Sequence, residues 1–269
     1  MSIAIAPPRG NAAGLFVSTR QIARRVLLKF IRSPQLVVVG TLQGAMFLLI
    51  FRYVFGGAIP LAGINYVDFV VPGFITTGVL FNAMYAAAGM AEDMSAGLIA
   101  RLRSLPIPRS AVLIGRALAD TAIQVWGLAI TVGIGFLVGF RLHGSWSAAL
   151  AAAALVVLFG FVFEWVFVLI GMIAGSAQAA QGFALIVFPF TFVSSAYIPV
   201  ATMPSWLRGF AENQPVTVMV NAVRTLTQGH PAEALLGHPT SYFVVRSLVW
   251  SLALVAVFAP LAIAKYARG

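Results

Sequence analysis

Six stretches of this chain are apolar over about the length needed to cross a lipid bilayer, and little remains between them. A helix takes roughly 20 mostly apolar residues to cross a hydrocarbon core of about 30 Å. The runs at residues 35–55, 69–90, 111–140, 148–174, 180–198 and 242–263 are of that order or longer. Only 9% of the 269 residues are charged and 61% are apolar, so a soluble fold of this chain could not cover its own surface. The alternating pattern of a membrane β-barrel is absent. The expected fold is therefore all-α integral membrane, with six transmembrane helices forming a single transmembrane domain over residues 1–269.

Three segments between the spans keep patterns of their own. Residues 14–33 place Leu15, Ile22, Val26 and Phe30 on one helical face, and Gln21, Arg24, Arg25, Lys29 and Arg32 on the other. That two-faced basic pattern belongs to an N-terminal helix lying in the membrane interface, and Ser33-Pro34 ends it. Residues 92–110 carry Leu98, Ile99, Leu102 and Leu105 at i, i+1, i+4 and i+7, one stripe of a short helix flanked by Arg101 and Arg103. Pro106 and Pro108 stop it, and Ser110 can cap the next helix. A polar loop has no use for an apolar stripe, so this helix docks on something, either a protein or the lipid headgroups. Residues 199–240 are cut by Pro199, Pro204, Pro215, Pro231 and Pro239, yet they stay rich in apolar residues. Trp206, Leu207 and Phe210 share one short helix, and residues 216–226 suit another that is too short to span. Such pieces read as re-entrant or interfacial, an outer helical hairpin before the last span, because irregular backbone survives at membrane depth only against protein or water.

The net charge of +10 does not point to nucleic acid, since the cations stand beside apolar runs, where anionic lipid headgroups are their natural partners. An even number of spans puts both termini on one side, with the loops after spans two and four. That side holds Arg9, Arg20, Arg24, Arg25, Lys29, Arg32, Arg101, Arg103, Arg109, Arg116, Lys265 and Arg268; the other holds Arg52, Arg141, Arg208, Arg224 and Arg246. The positive-inside rule then makes both termini and residues 92–110 cytoplasmic in a multi-pass cell-membrane protein. Residues 1–11 lack a basic start and a long apolar core, so no cleavable signal peptide is expected. With no cysteine there is no thiolate site or redox motif.

Few residues suggest chemistry. A phosphate-cradling loop needs glycines followed by Gly-Lys-Ser/Thr, and neither Lys29 nor Lys265 follows a glycine. No catalytic residue and no cofactor site is expected in this chain, so any nucleotide binds another polypeptide. His143, His230 and His238 lack ligand spacing, so no metal is expected. Asp120 lies one helical turn after Arg116, the spacing of a structural ion pair. Glu164 sits near the middle of span four, either as part of a transport pathway or as a neutral or paired interhelical contact. The 21 phenylalanines suit an aromatic-lined route for an apolar substrate, and equally a lipid-facing surface.

Two stretches carry a resemblance. The first is Leu98-Ile-Ala-Arg-Leu-Arg-Ser-Leu-Pro-Ile-Pro-Arg-Ser-Ala-Val-Leu-Ile-Gly-Arg-Ala-Leu-Ala-Asp120. The second is Phe192-Val-Ser-Ser-Ala-Tyr-Ile-Pro199, with Met203-Pro-Ser-Trp-Leu-Arg208, Asn213-Gln-Pro-Val216 and Arg224 after it. Together they resemble the permease subunits of type-two ABC transporters, particularly the daunorubicin-resistance branch of drug and lipid exporters, over nearly the whole chain. The resemblance implies that residues 92–110 form a coupling helix contacting a separate ABC ATPase through Leu98, Ile99, Arg101, Leu102, Arg103 and Leu105. It implies a second permease subunit, identical or related, with ATP and Mg held by the ATPase. Its substrates would be amphipathic drugs or lipids moved outward. Export of a cell-envelope polysaccharide or lipid-linked precursor is the alternative within that class. From a different class, a proton-coupled secondary carrier would use Glu164 and Asp120, but the halves show no internal repeat and the coupling helix would have no task.

Overall fold

The computed structural model describes residues 14–33, 35, 44–59, 61, 63–99 and 109–268, and all regular structure among them is helical. Helix α1 (Leu15–Ile31) is followed by α2 (Gly44–Phe55), whose last turn, Phe51–Phe55, is π-helical. Three long helices come next: α3 (Tyr66–Ser95), α4 (Arg109–Leu137) and α5 (Trp146–Ala174). Short helices α6 (Ala177–Ala184) and α7 (Val187–Phe192) precede α8 (Ser205–Asn213), α9 (Pro215–Gln228) and α10 (His230–Leu236), and α11 (Thr240–Arg268) closes the chain. Helices α3, α5, α11 and residues Ala111–Leu137 of α4 are each long and apolar enough to cross a membrane, while α2 and Ala177–Phe192 are shorter apolar segments. This is the build of a multi-pass membrane protein.

Helix α3 is the axis. It is buried along most of its length and packs chiefly on α5, with α4, α6 and α9 around it. Phe69, Val70, Leu80, Phe159, Phe167, Met219 and Val220 belong to the main core, and a second cluster at the basic end joins Ile22, Met90, Ile99, Val112, Trp165, Met172 and Tyr266. Helix α1 lies along α4. Between α5 and α6 the link is minimal: Gly175 leaves α5 at φ +73, where a side chain would be strained, and the Ser176 hydroxyl accepts from Ala179 N at 3.2 Å to start α6.

Several boundaries differ from the sequence reading. The run at 180–198 is not one helix but breaks at Leu185–Ile186. Pro189 has no N–H to give the Leu185 carbonyl, which instead accepts from Phe188 N at 2.9 Å. The run at 69–90 extends to Tyr66–Ser95, so Glu92 and Asp93 stand on the last turn of α3 and not in the 92–110 segment, which turns at Gly97 with φ +71. The third run, 111–140, ends its helix at Leu137 and turns at Gly139. The fourth starts at Trp146, where Ser145 accepts from Ala148 N. The last, 242–263, lengthens to Thr240–Arg268. Of the first run, 35–55, only Gln35 and residues 44–55 are described. Within 199–240 the helices are α8, α9 and α10, and α9 is wedged among α3, α5 and α11 with nearly all its residues buried. A short apolar helix is stable in that place because protein, not lipid, meets its polar groups.

The expected topology has a direct check in this cysteine-free chain. A single cysteine at Ser104, which lies outside the described residues, and another at Ser205 should react with an impermeant reagent from opposite sides of the membrane. Equal labelling of both from one side would remove the six-span arrangement.

Candidate functional site

At the basic end, a chain of charges ties three helices together. Lys29 of α1 donates to Glu92 at 3.1 Å, and Arg25 donates to Asp93 Oδ2 at 3.0 Å. The same Asp93 oxygen accepts from Arg116 Nη1 of α4 at 2.8 Å, and Arg116 Nη2 donates to the Ala86 carbonyl at 3.2 Å. Arg116 Nε lies 3.3 Å from Asp120 Oδ2, which is the i, i+4 pair expected from spacing. The exposed Lys29–Glu92 pair contributes little to stability, whereas the Arg116 contacts are largely shielded from water and screened less by salt. Asp93 thus connects α1 and α4 through α3. Sequence reasoning missed that role, although the adjacent acids 92 and 93 complement the i, i+4 pair of Arg25 and Lys29.

Glu164 is fully buried on α5, and neither of its oxygens has a hydrogen-bond partner. It stands beside Asp120, with Arg116 acting on it from the same helix.

Of the apolar stripe, Leu98 and Ile99 are described, and Arg101, Leu102, Arg103 and Leu105 lie outside the described residues. Ile99 is buried in the chain's own second cluster with Ile22, Met90 and Val112, while Leu98 is half-buried.

Halfway along α3, a cavity of about 470 Å³ opens among α2, α3, α4, α6 and α7. Rings form its wall: Phe81 stands 5.0 Å from Phe188, Phe188 5.9 Å from Phe192, Phe192 5.2 Å from Tyr197, and Tyr197 5.0 Å from Phe51. Thr77, Asn82, Thr131, Gln181 and the hydroxyls of Tyr85 and Tyr197 are its polar side-chain groups, and none of its described lining residues is charged. Thr77 is already engaged, donating to the Gly73 carbonyl and accepting from the Tyr197 hydroxyl. Asn82 donates to Gly78 O through its amide nitrogen. A mostly apolar hollow of this size with a few polar fixtures is the form of a small-molecule site.

At the opposite end, Arg224 of α9 is 0% exposed. Its Nε and Nη2 donate to the Phe69 carbonyl at 3.0 and 2.9 Å, Nη2 to the Ser195 carbonyl at 2.7 Å, and Nη1 to Asn221 Oδ1 at 2.6 Å. The guanidinium also sits 3.7 Å from the Phe69 ring centre. Its charge is met by oriented dipoles and a ring face. Gln214 adds bonds at 2.8 Å to the Phe190 and Val193 carbonyls, so α9 stitches residues 190–195 to α3. Counting Arg224 only as one of the five cations on the outer side concealed this, and its one visible signal was its place in the second resembling stretch. Of the three histidines, His143 bonds Gln228 at 2.8 Å and His238 stacks on Tyr242, and no metal-holding group occurs among the described residues. Glu233 accepts from Thr240 N and Oγ1, both at 2.7 Å, and these bonds hold its carboxyl below the ordinary carboxylate range.

Helical throughout its described residues, multi-pass in build, with a ring-lined hollow and a charge-clamped N-terminal helix, the chain has the form of a membrane transport subunit. Residues 17–227 match the ABC-2 type transporter family, and the chain belongs to that family as a permease. It is 32% identical over 245 residues, 90% of its length and 83% of the relative's, to the daunorubicin resistance ABC transporter permease protein DrrB1 of Streptomyces coeruleorubidus. It is 25% identical over 260 residues to the probable doxorubicin resistance ABC transporter permease protein DrrC of Mycobacterium tuberculosis, covering 96% and 91%. With nodulation protein J of Rhizobium leguminosarum bv. trifolii it shares 26% over 184 residues, 65% and 67%.

Proposed function

We propose that this chain is the membrane half of an ATP-driven exporter that moves amphipathic drugs or lipids outward across the cell membrane, powered by a separate ABC ATPase. The ring-lined cavity beside α3 carries the reading: it offers stacking faces and the amide side chains of Asn82 and Gln181, a surface suited to a flat or apolar body with a few polar substituents. Membership of the ABC-2 family and relatives named for resistance to daunorubicin and doxorubicin support the same class of cargo. Transport takes two permease subunits, identical or related, and two ATPase chains holding ATP and Mg. Both termini and residues 92–110 face the cytoplasm, where the stripe meets the ATPase, with residues 199–240 as the outer re-entrant region. A polysaccharide would want more hydrogen-bonding groups than this cavity presents.

Phe81→Ala with Phe188→Ala removes two facing walls of the cavity. ATP-dependent uptake of a fluorescent amphipathic drug into inverted vesicles should fall about tenfold or more, since loss of an aromatic anchor commonly costs over 1.4 kcal/mol. The ATPase should still co-purify. Unchanged uptake by an assembled variant would dismiss the cavity as the cargo site. A secondary carrier is distinguished in the same vesicles, because its uptake collapses with a protonophore at constant ATP.

A further inference from the structure

The clamp at the basic end is balanced before Glu164 is counted, with Arg25 and Arg116 set against Asp93 and Asp120. Glu164 is the next carboxyl in line, and no cation is left for it. It stands ten residues before the end of α5, about 15 Å into the helix bundle. Both of its oxygens are unpartnered, and the charged groups acting on it are Asp120 and Arg116, both on α4. Helices α3, α6, α9 and α11 also pack on α5 and bring it no charge among the described residues.

A second observation lies one turn away. Gln124 follows Asp120 by a turn on α4, is 2% exposed, and has neither amide atom bonded. It fits against Gly160, one turn before Glu164 on α5, where an added Cβ would stand 2.0 Å from Gln124 Oε1. The antiparallel register therefore sets 120 against 164 and 124 against 160, so that the half-buried Asp120 and the buried Glu164 and Gln124 stand in neighbouring layers with bonding capacity unused. Two ionised carboxylates side by side and away from water repel strongly. Two carboxyls holding one proton make a short charge-assisted O–H···O bond instead.

We propose that Asp120 and Glu164 form a buried proton-binding site that holds one proton between two carboxyls across the α4–α5 interface. The ligand is a proton and not a hard cation, which would ask for six or more oxygens. With it bound, the cluster from Arg25 to Glu164 is neutral, and α4 can shift along α5 without presenting a second charge to the bilayer. This site requires nothing of the cargo or of the ATPase.

Infrared spectroscopy of the full-length permease in lipid nanodiscs tests it, and with seven acidic side chains in the chain the assignment is tractable. At neutral pH the wild type should show the C=O stretch of one protonated, water-shielded carboxyl that shifts in D2O. Glu164→Gln should abolish that band, and Asp120→Asn should shift it, because Glu164 then holds the proton beside an amide in place of a second carboxyl. A wild type without the band overturns the proposal, and so does a band that persists in Glu164→Gln or keeps its position in Asp120→Asn. If one variant does not insert, the other and the wild type decide.

Discussion

Leu98→Ala combined with Leu102→Ala is expected to separate ATP hydrolysis from transport, or to lose the ATPase during purification, while the permease still inserts. Ile99 is committed to the chain's own cluster with Ile22 and Met90, so of the two described residues of the stripe Leu98 is the one left for a partner. Central apolar anchors of an interface commonly cost about 2 kcal/mol or more when truncated, roughly a thirty-fold loss of affinity. Arg103→Ala should be milder and more sensitive to salt, as rim charges are. Transport and ATPase retention both at wild-type level in the double variant would rule out the coupling role. A loop that only rests on headgroups would keep its ATPase and lose only membrane contact.

The other large effect is expected at Arg224. Arg224→Leu takes from the buried Phe69 and Ser195 carbonyls the donor that Arg224 supplies, at about 1–3 kcal/mol each, and leaves Asn221 Oδ1 with the Ser195 hydroxyl alone. Most of the folded permease should be lost, with proteolysis appearing between α9 and α11. Arg224→Lys should recover only part of the stability, since a single ammonium cannot reproduce the planar fork that meets these acceptors and the Phe69 ring together. Thermal unfolding in detergent measures both. An Arg224→Leu protein that melts with the wild type would show that α9 is held by its apolar packing alone.

What could be read in the residues, and what could not, follows from how far each signal reaches. Apolar run length is a local property, so α3, Ala111–Leu137, α5 and α11 were all anticipated within a few residues of their ends. The break at Leu185 has an equally local cause in Pro189, but a proline inside a membrane helix can also be accommodated without ending it, as Pro72 is within the continuous α3. The Arg116–Asp120 pair was visible because it lies within one turn. Asp93 was not, because its partners come from residues 25 and 116, and only packing brings them together. Arg224 was hidden for the same reason, since its acceptors lie 155 and 29 residues away. The cavity is the extreme case: its wall draws on five helices, and no spacing within one segment announces it.

Helix α3 is fastened at both of its ends by different means. At one end Glu92 and Asp93 are gripped by cations, and at the other the Phe69 carbonyl is gripped by Arg224, with Gly73 pressed so closely on residue 196 that a Cβ would stand 2.0 Å from its carbonyl oxygen. Thirty residues of continuous helix make a rod about 45 Å long, stiff along its axis. Such a rod cannot bend to absorb a push at one end; it passes the thrust on or turns about its length. Phe74, Thr77, Phe81, Asn82 and Tyr85 project from its middle into the cavity wall. A few degrees of axial roll, delivered where the charges hold it, would therefore rotate the cavity's rings and the Asn82 amide out of register with the facing wall of α7. Displacement where the charges sit would become a rearrangement of the cavity at the helix's middle, with no joint between the two.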